Sequence, residues 1–102
     1  SSLQSRSDVG TLWENYLVAE RMKHLRYHGL DVQSFFWRTA QQQEIDYVEE
    51  GESSLIAYEF KWSRKAKPKI PRTFLANYPK AKTELITPET YEKFLDGSAQ
   101  EK

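Results

Sequence analysis

The stretch Glu44–Trp62, EIDYVEEGESSLIAYEFKW, constrains this chain more than any other. Two runs of alternating character flank a polar turn at Gly51, the pattern of a β-hairpin. Because a strand sends successive side chains to opposite faces, Ile45 and Tyr47 are expected on one face, and Glu44, Asp46 and Val48 on the other. In the second run Ile56, Tyr58, Phe60 and Trp62 share a face, while Leu55, Ala57, Glu59 and Lys61 share the opposite one. Glu59 and Lys61 thus project from an otherwise apolar face. If Asp46 lies on that face of the neighbouring strand, two carboxylates and an ammonium meet across paired strands. Charges gathered in this way are costly unless they compensate one another or hold a metal ion.

The remaining segments frame this hairpin. At 102 residues, with fourteen aromatic side chains, the chain is long enough for one domain with one core. A helix is expected from a cap at Ser7 or Asp8 to about Tyr27, with Gly29 as its stop and Val9, Leu12, Trp13, Tyr16 and Leu17 as its apolar stripe. Glu14 borders that stripe. QSFFWRT (33–39) reads as a first strand, Glu44–Glu49 as a second and Ser54–Trp62 as a third, together an antiparallel meander. A proline-broken loop follows, then a short helix from Ile70 or Pro71 through Asn77, a fourth strand over 84–87, and a last helix capped by Thr87 with Pro88 in its first position. Residues 1–8 are expected to be a flexible lead-in, 9–95 a single domain and 96–102 a polar tail.

Formal net charge is zero, but its layout is uneven. Every charged residue between Glu44 and Glu59 is acidic, and every one from Lys61 to Lys82 is basic. There is no cysteine, which excludes disulfides and thiolate metal sites, and no apolar run of membrane-spanning length. A cytoplasmic protein that does not enter a membrane is expected.

Asp46 followed at a distance by Glu59-Phe60-Lys61 is the D-Xn-E-X-K pattern on adjacent strands. Asp46, Glu59 and the backbone carbonyl of Phe60 offer oxygen ligands to a hard cation such as Mg²⁺ or Mn²⁺. Lys61 stands two residues on, where it can assist an attacking water or steady developing phosphate charge. Glu14 from the first helix can complete the set. Arg38, Gln43 and the basic residues Arg64, Lys65, Lys67 and Lys69 are candidate contacts to nucleic acid, because phosphate contacts dominate nucleic-acid affinity. The plain alternatives are a surface ion pair at Glu59 and Lys61 and a solubilising loop at the lysines. His24 and His28 have metal-compatible i, i+4 spacing without an accompanying HExxH glutamate, and a basic helix end is the favoured reading. Among the aromatics, Trp62 is the one considered for base stacking.

The order α-β-β-β-α-β-α with Glu14, Asp46 and Glu59-Phe60-Lys61 resembles the PD-(D/E)XK, or restriction-endonuclease-like, nuclease superfamily. More closely, GTLWENYLVAE, FFWRT, QEIDYVEE and IAYEFKW resemble an uncharacterised domain at the C-terminal end of many prokaryotic AAA+-type ATPases. The resemblance runs from about Val9 to Phe94. It implies an α/β fold of the α+β type, with a mixed central sheet flanked by helices, and an ATP-binding module ahead of Ser1. It also implies metal ligation by Asp46 and Glu59, a catalytic role for Lys61 and a helix acid at Glu14. One departure is Ile45, where the superfamily's name has proline. Two functions stay open: a Mg²⁺- or Mn²⁺-dependent nuclease, with DNA favoured as substrate, and a regulatory tail that binds nucleic acid or protein without cutting. A pure interaction domain is the third possibility.

Overall fold

A computed structural model describes residues 6–41, 43–62 and 70–96. The elements run α1 (Arg6–Tyr27), β1 (Gln33–Arg38), β2 (Glu44–Glu50), β3 (Leu55–Phe60), α2 (Arg72–Asn77), β4 (Lys82–Ile86) and α3 (Tyr91–Leu95). The four strands form one sheet in the order β1-β2-β3-β4. β1, β2 and β3 are antiparallel, and β4 adds parallel to β3. Parallel neighbours need a crossover, and α2 lies in it. The mixed sheet is therefore flanked by helices, as expected.

Two apolar layers cover the sheet. On one face Leu17 of α1 and Phe94 of α3 pack on Tyr47, Ile56, Tyr58, Phe60 and Ile86. Phe94 is the hub of this layer. Its ring meets Tyr58 at 4.9 Å, Phe60 at 5.4 Å and Tyr47 at 5.7 Å, all edge to face, the arrangement that ring quadrupoles prefer. On the other face Phe74 of α2 packs on Ile45, Val48 and Ala57, with Trp37 beside it at 5.4 Å. β3 lies inside the sheet with both faces covered, which is why LIAYEF reads as a nearly continuous apolar run.

Several expectations are corrected. Ile45 and Val48 share the α2 face, although strict alternation would separate them. The cause is a shift in the β1–β2 register: Phe35 faces Val48 but Trp37 faces Ile45, so Asp46 and Tyr47 together oppose Phe36. This is a β-bulge, an extra residue in one strand that resets its alternation. The apolar stripe of α1 is also rotated. Leu12 and Tyr16 are 63% and 54% exposed, whereas Gly10, Leu17, Arg21 and Leu25 are buried. An arginine inside the stripe disguises the hydrophobic pattern. α1 starts at Arg6, ahead of the expected Ser7 or Asp8 cap. Its C-terminal end is as read: Gly29 has φ +65°, and Leu30 N–H bonds to Leu25 O at 3.0 Å while Gly29 N–H bonds to Arg26 O at 3.1 Å. That pairing is a Schellman motif.

β3 stops at Phe60, leaving Lys61 and Trp62 beyond the strand, and β4 starts earlier than expected. Thr87 closes a turn rather than capping α3. Its Oγ1 accepts from Glu89 N–H at 3.1 Å, and α3 begins only at Tyr91. The expected polar tail past Asp96 and the lead-in before Arg6 lie outside the described residues, as does the proline-broken loop. No helix among the described residues is long and apolar enough to cross a membrane.

Candidate active site

The hydrogen-bonded ladder between β2 and β3 runs from Glu50↔Leu55 to Tyr47↔Tyr58 and ends there. Continuing that register sets Asp46 across from Glu59, at the point where the two strands part. The bulge falls at the same place, and bulges re-aim side chains. Asp46 lines a cleft of about 670 Å³ between α1 and the β1–β2 pair, with Glu14 on its helical wall and Phe36 and Arg38 on its strand wall.

Glu59 and Lys61 form an ion pair of 3.4 Å, with side chains only 22% and 21% exposed. Strand alternation foretold that they would project together, and they do. Lys61 is fixed by its backbone, since its N–H donates to Ile86 O at 2.9 Å, which extends the β3–β4 pairing by one bond. Phe60, between them, is buried beneath Trp13, whose ring lies 6.4 Å away edge-on. Trp13 in turn meets Trp62 at 5.4 Å, so the residue considered for stacking is braced against α1.

Glu14 feels the charges of Asp46, Glu59 and Lys61. Desolvation raises the pKa of Glu14 above its ordinary value, the charges of Asp46 and Glu59 raise it further, and Lys61 pulls it back. Desolvation likewise raises the Asp46 pKa, followed by the charges of Glu44 and Glu59. Two carboxyls raised by burial and by neighbouring negative charge are short of positive charge. Among the described residues no three His, Asp or Glu side chains close into a preformed metal cage. The donor set suits a hard cation that keeps much of its water shell, as Mg²⁺ does.

The remaining candidates are spread more widely. Arg38 pairs with Glu44 at 3.5 Å on the surface, and its guanidinium lies over the Phe36 ring, 5.7 Å from the centroid. Gln43 serves the β1–β2 turn through its backbone, donating to Thr39 Oγ1 at 3.3 Å and accepting from Thr39 N–H at 2.9 Å. Arg64, Lys65, Lys67 and Lys69 lie outside the described residues. His24 and His28 meet with ring centroids 4.2 Å apart and planes tilted by 46°, at the C-terminal end of α1 and just past it, far from Glu14.

Sequence reasoning missed a second polar cluster, buried under the sheet. Arg21 and Glu49 are fully buried. Arg21 donates to both carboxylate oxygens of Glu49 at 2.6 Å and to the backbone oxygen of Phe94 at 2.8 Å. Tyr47 donates to Glu49 at 2.5 Å and Tyr58 at 3.3 Å. Burial lowers the Arg21 pKa, but the hydrogen bond and charge of Glu49 outweigh it, so the guanidinium stays charged. Burial, then the Glu49 charge, pushes both tyrosines above their ordinary pKa. The available signal was spacing: Arg21 stands four residues after Leu17 and four before Leu25 on one helical face, and Glu49 two after Tyr47 on one strand face.

Comparison with curated proteins and with solved structures returned no match. A family model described as a domain of unknown function (DUF4143) matches residues 9–97. That span takes in every described element from the first turn of α1 through α3, including Glu14, Asp46, Glu59 and Lys61, and the chain belongs to this DUF4143 family.

Proposed function

We propose that the protein is a divalent-metal-dependent phosphodiesterase acting on nucleic acid, with Mg²⁺ or Mn²⁺ as the cation and DNA as the favoured substrate. The observation that carries this reading is the meeting of Glu14, Asp46 and the Glu59–Lys61 pair where β2 and β3 part. Asp46 and Glu59 would hold the cation, with the Phe60 carbonyl and Glu14 as further oxygen donors. A bound cation supplies an acidified water and charge neutralisation for the phosphoryl oxygens. Desolvation raises the Glu14 carboxyl above its ordinary pKa, which makes its carboxylate a stronger base than an exposed one. Lys61 offers an ammonium to the developing negative charge once Glu59 turns to the cation. The resemblance to PD-(D/E)XK nucleases supports the same roles, and with it a place behind an AAA+-type ATPase module in a cytoplasmic protein.

The Glu59–Lys61 ion pair itself favours a second reading, in which the domain is a non-cleaving, nucleic-acid- or protein-binding regulatory tail of that ATPase. There the pair is a structural contact, and neither partner turns to a metal.

Titration calorimetry with Mn²⁺ separates the two. For the nuclease reading, wild type binds Mn²⁺, and Asp46→Asn and Glu59→Gln each lose that binding. The same variants and Lys61→Ala lose cleavage of DNA while retaining the wild-type circular dichroism spectrum. Undiminished cleavage by Asp46→Asn and Lys61→Ala removes the assignment.

A further inference from the structure

Phe36 is 63% exposed in the middle of β1, against 39% for Phe35, while Trp37 packs on the α2-side core. A lone exposed phenylalanine is ordinary. Its surroundings here are not. Phe36 stands opposite the bulge formed by Asp46 and Tyr47, and its ring walls the cleft that holds Asp46 and Glu14. Arg38, two residues on and on the same face, sets its guanidinium 5.7 Å from the ring centroid. That guanidinium pairs with exposed Glu44 at 3.5 Å, a contact of little energetic weight that a phosphate can replace. The facing helical wall is apolar at one end, where Val18, Ala19 and Met22 line it, and polar at the other, with Thr11, Glu14 and Asn15.

Flat ring, planar cation, apolar wall and acidic floor describe the parts of a nucleotide in order. A base lies on a ring, its phosphate meets a guanidinium, and the next phosphodiester reaches the carboxylates. At about 670 Å³ the cleft has the size of a small-ligand site rather than of a flat protein interface. In a duplex each base face is already covered by its neighbours, so only an unstacked base can lie on Phe36.

We infer that Phe36 and Arg38 form a base-stacking and phosphate-binding platform that selects single-stranded or unpaired nucleic acid for this cleft. The inference deepens the nuclease reading above and rests on it for the cleft's acidic end. The acidic floor repels a polyanion on its own, so binding at the platform strengthens when Mg²⁺ is added.

The test is fluorescence anisotropy with an end-labelled oligothymidylate and with a labelled duplex of equal length, each in Mg²⁺, alongside cleavage of both. Wild type is expected to hold the single strand more tightly than the duplex. Phe36→Ala should weaken single-strand binding by about 5- to 150-fold, the range found for loss of one stacked base, and leave duplex binding unchanged. Phe36→Tyr should retain the wild-type affinity, and Arg38→Gln should weaken binding and flatten its salt dependence. Melting curves of all three variants confirm folding. Equal affinity of wild type and Phe36→Ala for the single strand overturns the platform. If such a protein still cleaves in an Asp46-dependent manner, the platform alone falls and the nuclease reading stands. Phe36-dependent binding without cleavage has the opposite meaning: the platform stands and the nuclease reading falls. Absence of binding to either probe overturns the platform as well.

Discussion

Desolvation, and after it the charges of neighbouring carboxylates, raise the carboxyl pKa of Glu14 and Asp46, which makes their protonated forms the better fit to the folded chain. A carboxyl whose folded pKa lies above its unfolded value adds stability below the unfolded pKa, and that contribution is lost as pH rises through the folded value. The site therefore weakens the fold as it ionises. Thermal melts of wild type in metal-free buffer should fall in Tm as pH rises from the ordinary carboxylate range through the raised values. The Glu14→Gln, Asp46→Asn double variant should show a flatter profile and equal or greater stability near neutral pH. Because the cluster is open to solvent on one side, the difference is expected to be less than about 1 kcal/mol per group. Parallel pH profiles for the two proteins would show that these carboxyls are not destabilised by the fold. Glu59 and Lys61 were readable from the sequence because residues two apart in an unbulged extended run share a face. Phe36 was not, since QSFFWRT offers three adjacent aromatics and alternation alone does not say which face is covered.

Among the elements, α1, β2 and α3 are fastened by one arginine. Arg21 reaches from the middle of α1 to Glu49 in β2 and to the backbone of Phe94 in α3, and its guanidinium lies 5.2 Å from the Phe94 ring centroid. Such a buried pair contributes little net stability against a well-packed apolar replacement, but removing one partner strands a buried charge. Arg21→Met or Glu49→Leu alone should cost about 3–5 kcal/mol in urea unfolding. The double variant should recover a large part of that loss, which distinguishes a stranded charge from simple loss of packing. Additive losses would mean that each side chain acts through its own packing. The same pair explains why the hydrophobic pattern points to the wrong stripe on α1. Charged residues are almost never fully buried unless paired, and the partner here is 28 residues away. No local window contains that information. The bulge in β2 was hidden for a related reason: one extra residue inverts the alternation of everything before it, and only pairing with β1 reveals where it falls. The β2–β3 hairpin and the Gly29 stop were legible because each rests on contacts within a few residues.

For the molecule as a whole, neutrality conceals a separation of charge along the chain, acidic from Glu44 to Glu59 and basic from Lys61 to Lys82. Under the proposed function the acidic stretch supplies Asp46 and Glu59, Glu14 joins them from α1, and a polyanionic substrate would approach all three against repulsion. The basic run that follows Lys61 in sequence is the part of the chain with enough positive charge to offset it, and counterion release makes that contribution measurable without knowing its conformation. The logarithm of affinity for a single-stranded oligonucleotide should fall linearly with the logarithm of salt concentration. Replacing Arg64, Lys65, Lys67 and Lys69 together by glutamine should weaken binding at low salt and reduce the slope by about 0.7 for each phosphate no longer neutralised. Mn²⁺ binding by calorimetry should be unchanged, because the carboxylates of the site are untouched. An unchanged salt slope would assign the basic run to solubility alone and leave Arg38 and Lys61 as the cations that meet the substrate. A reduced slope together with intact metal binding would divide the labour along the chain: attraction by the segment after β3, and chemistry where β2 and β3 part.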